Sequence, residues 1–72
     1  MAENIRKHTF CIIRKNGEYI AGRKLWGDGI RWSIYAHEAA KTRNREKAEE
    51  IARKIGGIVL LYNDITREIK VL

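Results

Sequence analysis

The stretch NREKAEEIARKIGGIVLLY, residues 44–62, decides how the chain is organised. Within it Ala48, Ile51, Ala52 and Ile55 recur at the i, i+3, i+4, i+7 spacing that places apolar side chains on one stripe of a helix. Asn44 stands just before that run as an N-cap, able to accept from the first unpaired backbone N–H groups. Glu49 with Arg53 and Glu50 with Lys54 are acid-before-base pairs four apart, each adding ~0.2–0.5 kcal/mol to an exposed helical face. Gly56 and Gly57 then supply a left-handed stop. Ile58–Tyr62 follows as a continuous apolar run, which reads as a strand buried on both faces.

Working outward toward the N-terminus, residues 8–15 are rich in β-branched and aromatic types and run directly into Asn16-Gly17. Both central residues of a type I′ hairpin turn need positive φ, which Asn tolerates and Gly adopts freely. A second strand is expected from Glu18 to about Leu25, with Gly22 marking a bulge or a close approach. Trp26-Gly27-Asp28-Gly29 reads as a turn. Residues 30–35 alternate, with Ile30, Trp32 and Ile34 expected in the core and Arg31, Ser33 and Tyr35 on the polar side. Residues 36–43 read as a loop containing one helical turn. Beyond the apolar strand, Asn63 and Asp64 turn the chain into a last strand over 65–71, with Ile65, Ile69 and Val71 on one side.

The expected fold is α+β: a single β-β-β-α-β-β domain over residues 1–72, mainly antiparallel, with one helix packed on one face and residues 1–7 either disordered or a short N-terminal tail. A chain of 72 residues hides only ~60% of the surface it exposes when unfolded, and its single cysteine, Cys11, forms no internal disulfide. With apolar side chains on both sides of strands 1 and 4 and one helix to cover them, a second copy is expected on the uncovered face, making a homo-oligomer. No apolar run approaches the ~20 residues a membrane helix needs, and the charged N-terminus does not resemble a signal peptide. A cytoplasmic protein with no membrane partner is expected.

The patterns of catalysis are missing. His37-Glu38 begins a zinc-protease motif, but Lys41 occupies the place of the second histidine. Ser33 lacks the glycines of a nucleophile elbow, and Cys11 in mid-strand reads as a small buried hydrophobe. Gly27-Asp28-Gly29 has neither the spacing nor the following helix of a phosphate loop. The expectation is a protein that is not an enzyme and uses no cofactor or metal.

Fifteen Lys and Arg against nine Asp and Glu give a net charge of +6, which favours anionic partners. Arg23, Lys24, Trp26, Arg31, Ser33, Tyr35 and His37 bring cations, rings and hydroxyls together within fifteen residues. Guanidinium forks hold phosphate oxygens and rings stack on bases, so this set reads as a site for an anionic nucleotide. In that reading Arg23, Arg31 and Arg43 hold phosphates and Trp26 and Tyr35 stack on the base. Ser33, His37 and Asp28 meet sugar or base edges. Lys41, Arg43, Arg45 and Lys47 oppose the helix dipole at its N-terminus, which hints at a neutralising anion. Nucleic acid could supply such an anion, although no helix-turn-helix, zinc finger or RNA-binding aromatic pair stands at its usual spacing.

The arm Tyr19–Gly22, the pair Trp32-Ser33 and the run Lys47–Ala52 ending at Gly56-Gly57 before an apolar strand resemble small accessory proteins of bacteriophages and prophages. The resemblance covers about residues 8–62 and its motifs are mostly structural. It implies a phage-type anti-defence role in the host bacterial cytoplasm, either sequestering a nucleotide signal or covering a host defence or replication protein. Nonspecific nucleic-acid binding is the third alternative.

Overall fold

A computed structural model of the chain describes residues 8–22 and 30–71. Five strands, β1 (Thr9–Lys15), β2 (Glu18–Ala21), β3 (Arg31–Ser33), β4 (Ile58–Asn63) and β5 (Ile69–Val71), form one antiparallel sheet in the order β3-β2-β1-β4-β5. A 3₁₀ turn (Ala36–Glu38) and the helix α1 (Arg45–Ile55) lie between β3 and β4. The fold is the expected α+β domain.

Local chemistry accounts for the joints. Asn16 and Gly17 take φ of 52° and 81°, the paired positive values of a type I′ turn, and close the β1–β2 hairpin. The Asn44 side chain accepts from the Lys47 N–H at 3.1 Å and caps α1, while Gly56 ends it in the left-handed region at φ 75°. Gly57 serves a different purpose. A Cβ there would stand 2.9 Å from the Arg14 carbonyl oxygen and 3.1 Å from Ile13 Cγ2, so its missing side chain lets the entry to β4 lie against β1. Gly22 takes φ 108°, a backbone conformation that suits glycine, and no neighbour among the described residues lies within 4 Å of a Cβ built there.

The β1–β2 hairpin pairs only at Arg14–Tyr19 and Lys15–Glu18. Beyond those residues the two strands part and residues 39–42 fill the gap. Ala40 N–H donates to the Ile20 carbonyl at 2.8 Å, and Cys11 and Thr42 exchange backbone hydrogen bonds of 2.7 and 3.1 Å. Small side chains suit the insertion: Ala39 and Ala40 are both buried. What reads in sequence as a loop is thus an extended segment threaded into the sheet.

Two apolar layers result. On the helix side, Cys11, Ile13, Ile20 and Ala40 meet Ala48, Ile51 and Ala52, with Ile55, Val59 and Leu61 at the margin. On the far side, Ile12, Tyr19, Ala39, Leu60 and Tyr62 pack together with Ala36. Ile12, Ile13, Ile20 and Leu60 are almost wholly enclosed, each adding roughly 1.5–3 kcal/mol. The chain itself covers much of the far layer through the threaded segment and long cationic side chains. Arg43 lies over the Phe10 ring at 4.9 Å, Lys41 over Tyr62 at 5.4 Å and Arg14 over Tyr19 at 5.9 Å. What stays uncovered there is Ile58, Ile69 and Val71.

Three expectations need correction. Ile30, Trp32 and Ile34 are exposed, not core, because β3 is an edge strand and α1 packs over β1 and β4. β4 is not buried along its whole length, since Ile58 is half exposed. The last strand begins at Ile69 rather than Ile65. Asn63 Oδ1 accepts from the N–H groups of Ile65 and Thr66, and Arg67 adopts φ 62°, so the chain turns through residues 64–67 before pairing again. The tail 1–7, the end of the second strand and the turn at 26–29 lie outside the described residues.

Candidate functional site

Of the residues expected to bind a ligand, Arg23, Lys24, Trp26 and Asp28 lie outside the described residues. Arg31 and Ser33 sit on β3 opposite Ala21 and Tyr19, which places both on the far side of the sheet. Ser33 Oγ donates to Glu38 Oε1 and accepts from the Tyr35 N–H at 3.0 Å, so the hydroxyl ties the 3₁₀ turn to β3. Tyr35 and His37 stand exposed beside it, their rings 5.6 Å apart and inclined at 35°. Lys41 Nζ donates to the carbonyls of His37 and Ala39 at 3.2 and 3.1 Å, fixing the chain that carries these rings.

Arg43 does not join them. It packs on Phe10 of β1, and β2 together with the threaded segment separates it from Arg31 on β3. The structure therefore brings Tyr35 and His37 together just beyond β3, the strand that carries Arg31, and leaves Arg43 elsewhere. At the start of α1, Arg45 pairs with Glu49 at 3.1 Å and Lys47 with Glu50 at 3.8 Å. The helix's own acids pair with both of these cations. Lys54 also reaches Glu50, as the spacing indicates, whereas Glu49 is taken by Arg45 rather than Arg53.

Two shallow grooves are built entirely of described residues. One, of about 380 Å³, opens between α1 and the margin of the sheet and is lined by Arg45, Glu49 and Arg53 together with Val59 and the edge residues Ile58 and Val71. The other, of about 240 Å³, is formed by Lys15, Asn16, Glu18 and Trp32. Its origin is the register of the sheet. Lys15 pairs with Glu18, and Trp32 pairs with Ile20, two residues along β2 from Glu18. All three side chains therefore emerge on the helix side, beyond the end of α1's cover, and Asn16 adds its amide from the hairpin turn.

This groove joins an indole wall, an ammonium, a carboxylate and an amide, a set able to stack on a planar ring and hydrogen-bond its edge. Sequence reasoning missed Lys15, Asn16 and Glu18 because they read as turn and strand surface, and it assigned Trp32 to the core. The β1–β2 register was the signal that could have found them: Asn16-Gly17 fixes Lys15 opposite Glu18.

Cys11 is 5% exposed between β4 and the threaded segment. Burial pushes its thiol above the ordinary value, with Arg45 pulling it down and Glu49 raising it. A thiol held protonated in this way is a packing group rather than a nucleophile. Among the described residues no three His, Cys, Asp or Glu side chains gather as metal ligands, and no helix is long and apolar enough to cross a membrane. Comparison with protein families, with characterised proteins and with solved structures finds no match to this chain.

Proposed function

We propose that the chain is a non-catalytic binding protein that captures a phosphate-bearing nucleotide, with the base laid against Trp32 in the groove at the hairpin end of the sheet. Asn16 and Glu18 address amino groups of the base or hydroxyls of the sugar, and the Lys15 ammonium attracts the phosphate. The observation that carries this reading is the 38% exposure of Trp32 on the wall of a polar groove, on a strand whose alternation would otherwise bury it. The +6 charge supports an anionic ligand. Sequestration of a nucleotide signal by a phage-type protein is the biological form this activity takes, in line with the sequence resemblance. A homo-oligomer in the host cytoplasm belongs to the same proposal.

The test is thermal melting against a panel of cyclic and ADP-ribose-type nucleotides. A ligand at 100 times its Kd adds ~2.7 kcal/mol to stability. Trp32→Ala removes a stacking platform worth ~1–3 kcal/mol and should weaken binding by between several-fold and about a hundredfold. Absence of any shift across the panel refutes the proposal. Loss of the shift in Arg31→Glu but not in Trp32→Ala would move the site to the Arg31–Tyr35–His37 corner.

A second reading, a protein-interaction inhibitor, is favoured by one observation: Ile30, Ile34 and Tyr35 are 42%, 64% and 55% exposed along and beyond an edge strand. Apolar and aromatic side chains clustered at a sheet edge suit a protein partner. It predicts no nucleotide shift, together with specific co-purification of one host protein that Ile34→Asp abolishes; retention by that variant would exclude it.

A further inference from the structure

We infer that β5 is a self-association edge, on which a second copy of this chain pairs antiparallel in a register centred on Ile69. β5 is the outermost strand beyond β4. The Asn63 N–H donates to the Glu68 carbonyl at 3.0 Å, so the backbone groups of Glu68 face β4, and by antiparallel alternation those of Lys70 do as well. The N–H and C=O of Ile69 and Val71 consequently point away from the sheet. An edge of outward backbone groups is a template for another strand.

The side chains select both partner and register. Ile69 and Val71 lie opposite Tyr62 and Leu60 on the far side of the sheet and are 40% and 78% exposed, with Ile58 of β4, 52% exposed, on the same side. On the helix side β5 presents Glu68 just before the strand and Lys70 within it, and neither has an ion-pair partner among the described residues. A two-fold axis through Ile69 sets Ile69 against its own copy, where its outward N–H and C=O groups can be exchanged. The same axis sets Glu68 opposite the second copy's Lys70, twice. Shifting the axis to Lys70 or Glu68 opposes like charges, and shifting it to Val71 takes Lys70 away from Glu68. Only the Ile69 register matches charge, backbone direction and apolar surface together. The other edge, β3, offers no such match, because centring on Trp32 sets Arg31 opposite Ser33.

Sedimentation velocity of the full chain over a concentration series, at low and high salt, tests the inference. The wild type should sediment as a monomer–dimer equilibrium, weakened by salt. Glu68→Lys and Lys70→Glu should each weaken dimerisation by about tenfold or more, since each exchanges two attractive cross-strand pairs for two repulsive ones. The double variant Glu68→Lys/Lys70→Glu should restore it. Both side chains are exposed, and circular dichroism checks that each variant is folded. The Ile69 amide should also gain hydrogen-exchange protection as concentration rises. A chain that stays monomeric at every concentration overturns the inference, as does a dimer indifferent to the single reversals or not restored by the double one.

Discussion

Replacing Gly57 by Ala tests the packing of β4 on β1 at its tightest point. An ideal Cβ at this position lies 2.9 Å from the Arg14 carbonyl oxygen and 3.1 Å from Ile13 Cγ2, where ordinary contact begins at 3.4 Å. The first neighbour is backbone in the middle of the sheet, and the second belongs to a fully buried side chain. Neither can swing aside, so the added methyl must push the start of β4 off β1 beside the Arg14–Ile58 pair. Forcing one extra methyl group into a filled core costs about 1–3 kcal/mol, and the lower backbone entropy of the unfolded alanine chain returns about 0.4–1 kcal/mol. The expected net loss is about 1–2 kcal/mol, which for a domain of this size lowers Tm by roughly 5–15 °C. Urea and thermal unfolding followed by circular dichroism measure it. Gly56→Ala provides the contrast, since no neighbour lies within 4 Å there and its difficulty is φ alone. Asparagine, which tolerates the left-handed region, should recover part of that loss at position 56 and none at position 57. A Gly57→Ala protein melting within about 2 °C of the wild type would refute the steric argument.

Two further substitutions probe the helix and the buried thiol. Asn44→Ala removes the acceptor for the Lys47 N–H and should cost about 1 kcal/mol in urea unfolding, with Ser or Asp at the same position retaining most of it. Because burial raises the Cys11 pKa in the folded state, the unfolded chain releases that proton at lower pH. The associated stability is whole below the ordinary value of 9.0 and is lost as pH rises through the folded value, so the wild type should lose stability faster than Cys11→Ala above about pH 9. Parallel pH slopes for the two proteins would contradict the burial argument.

What was legible in the sequence was whatever local chemistry alone decides. Asn16-Gly17 had to be a primed turn, Asn44 a cap, and the stripe Ala48, Ile51, Ala52, Ile55 the buried face of α1. What local pattern could not decide was lateral position in the sheet. Alternation over residues 30–35 correctly separates Trp32 from Arg31 and Ser33, but it says nothing of how far α1 reaches, and two strands from the helix an apolar face is left open. Residues 39–42 carry no period because they bond to β2 on one side and β1 on the other, a role that depends on the hairpin parting around them. Ile65 joined the wrong element for a similar reason. Its side chain suits a strand, yet the Asn63 carboxamide draws its N–H into a turn. For the candidate ligand residues, composition placed rings and cations near one another in sequence, and among those described the fold keeps Arg31 and Ser33 on β3, sets Tyr35 and His37 just after it, and lays Arg43 over Phe10 of β1.

That division changes the meaning of the net charge. Arg14, Lys41 and Arg43 each lie over an aromatic ring on the side of the sheet opposite α1, and each such pairing contributes about 0.5–1 kcal/mol at an exposed site. Their aliphatic stems also cover apolar surface where a larger protein would place a second helix. Part of the positive charge therefore helps close the core on the face that α1 does not cover. On the proposed reading, the cations that act on a ligand are those whose surroundings include a hollow, as Lys15 has beside Trp32, rather than those that are merely numerous. A uniform attraction to polyanions needs only the total charge; recognition of one nucleotide needs a cation, a ring and hydrogen-bonding groups converging on one volume, and the hairpin register brings those together at Lys15, Asn16, Glu18 and Trp32.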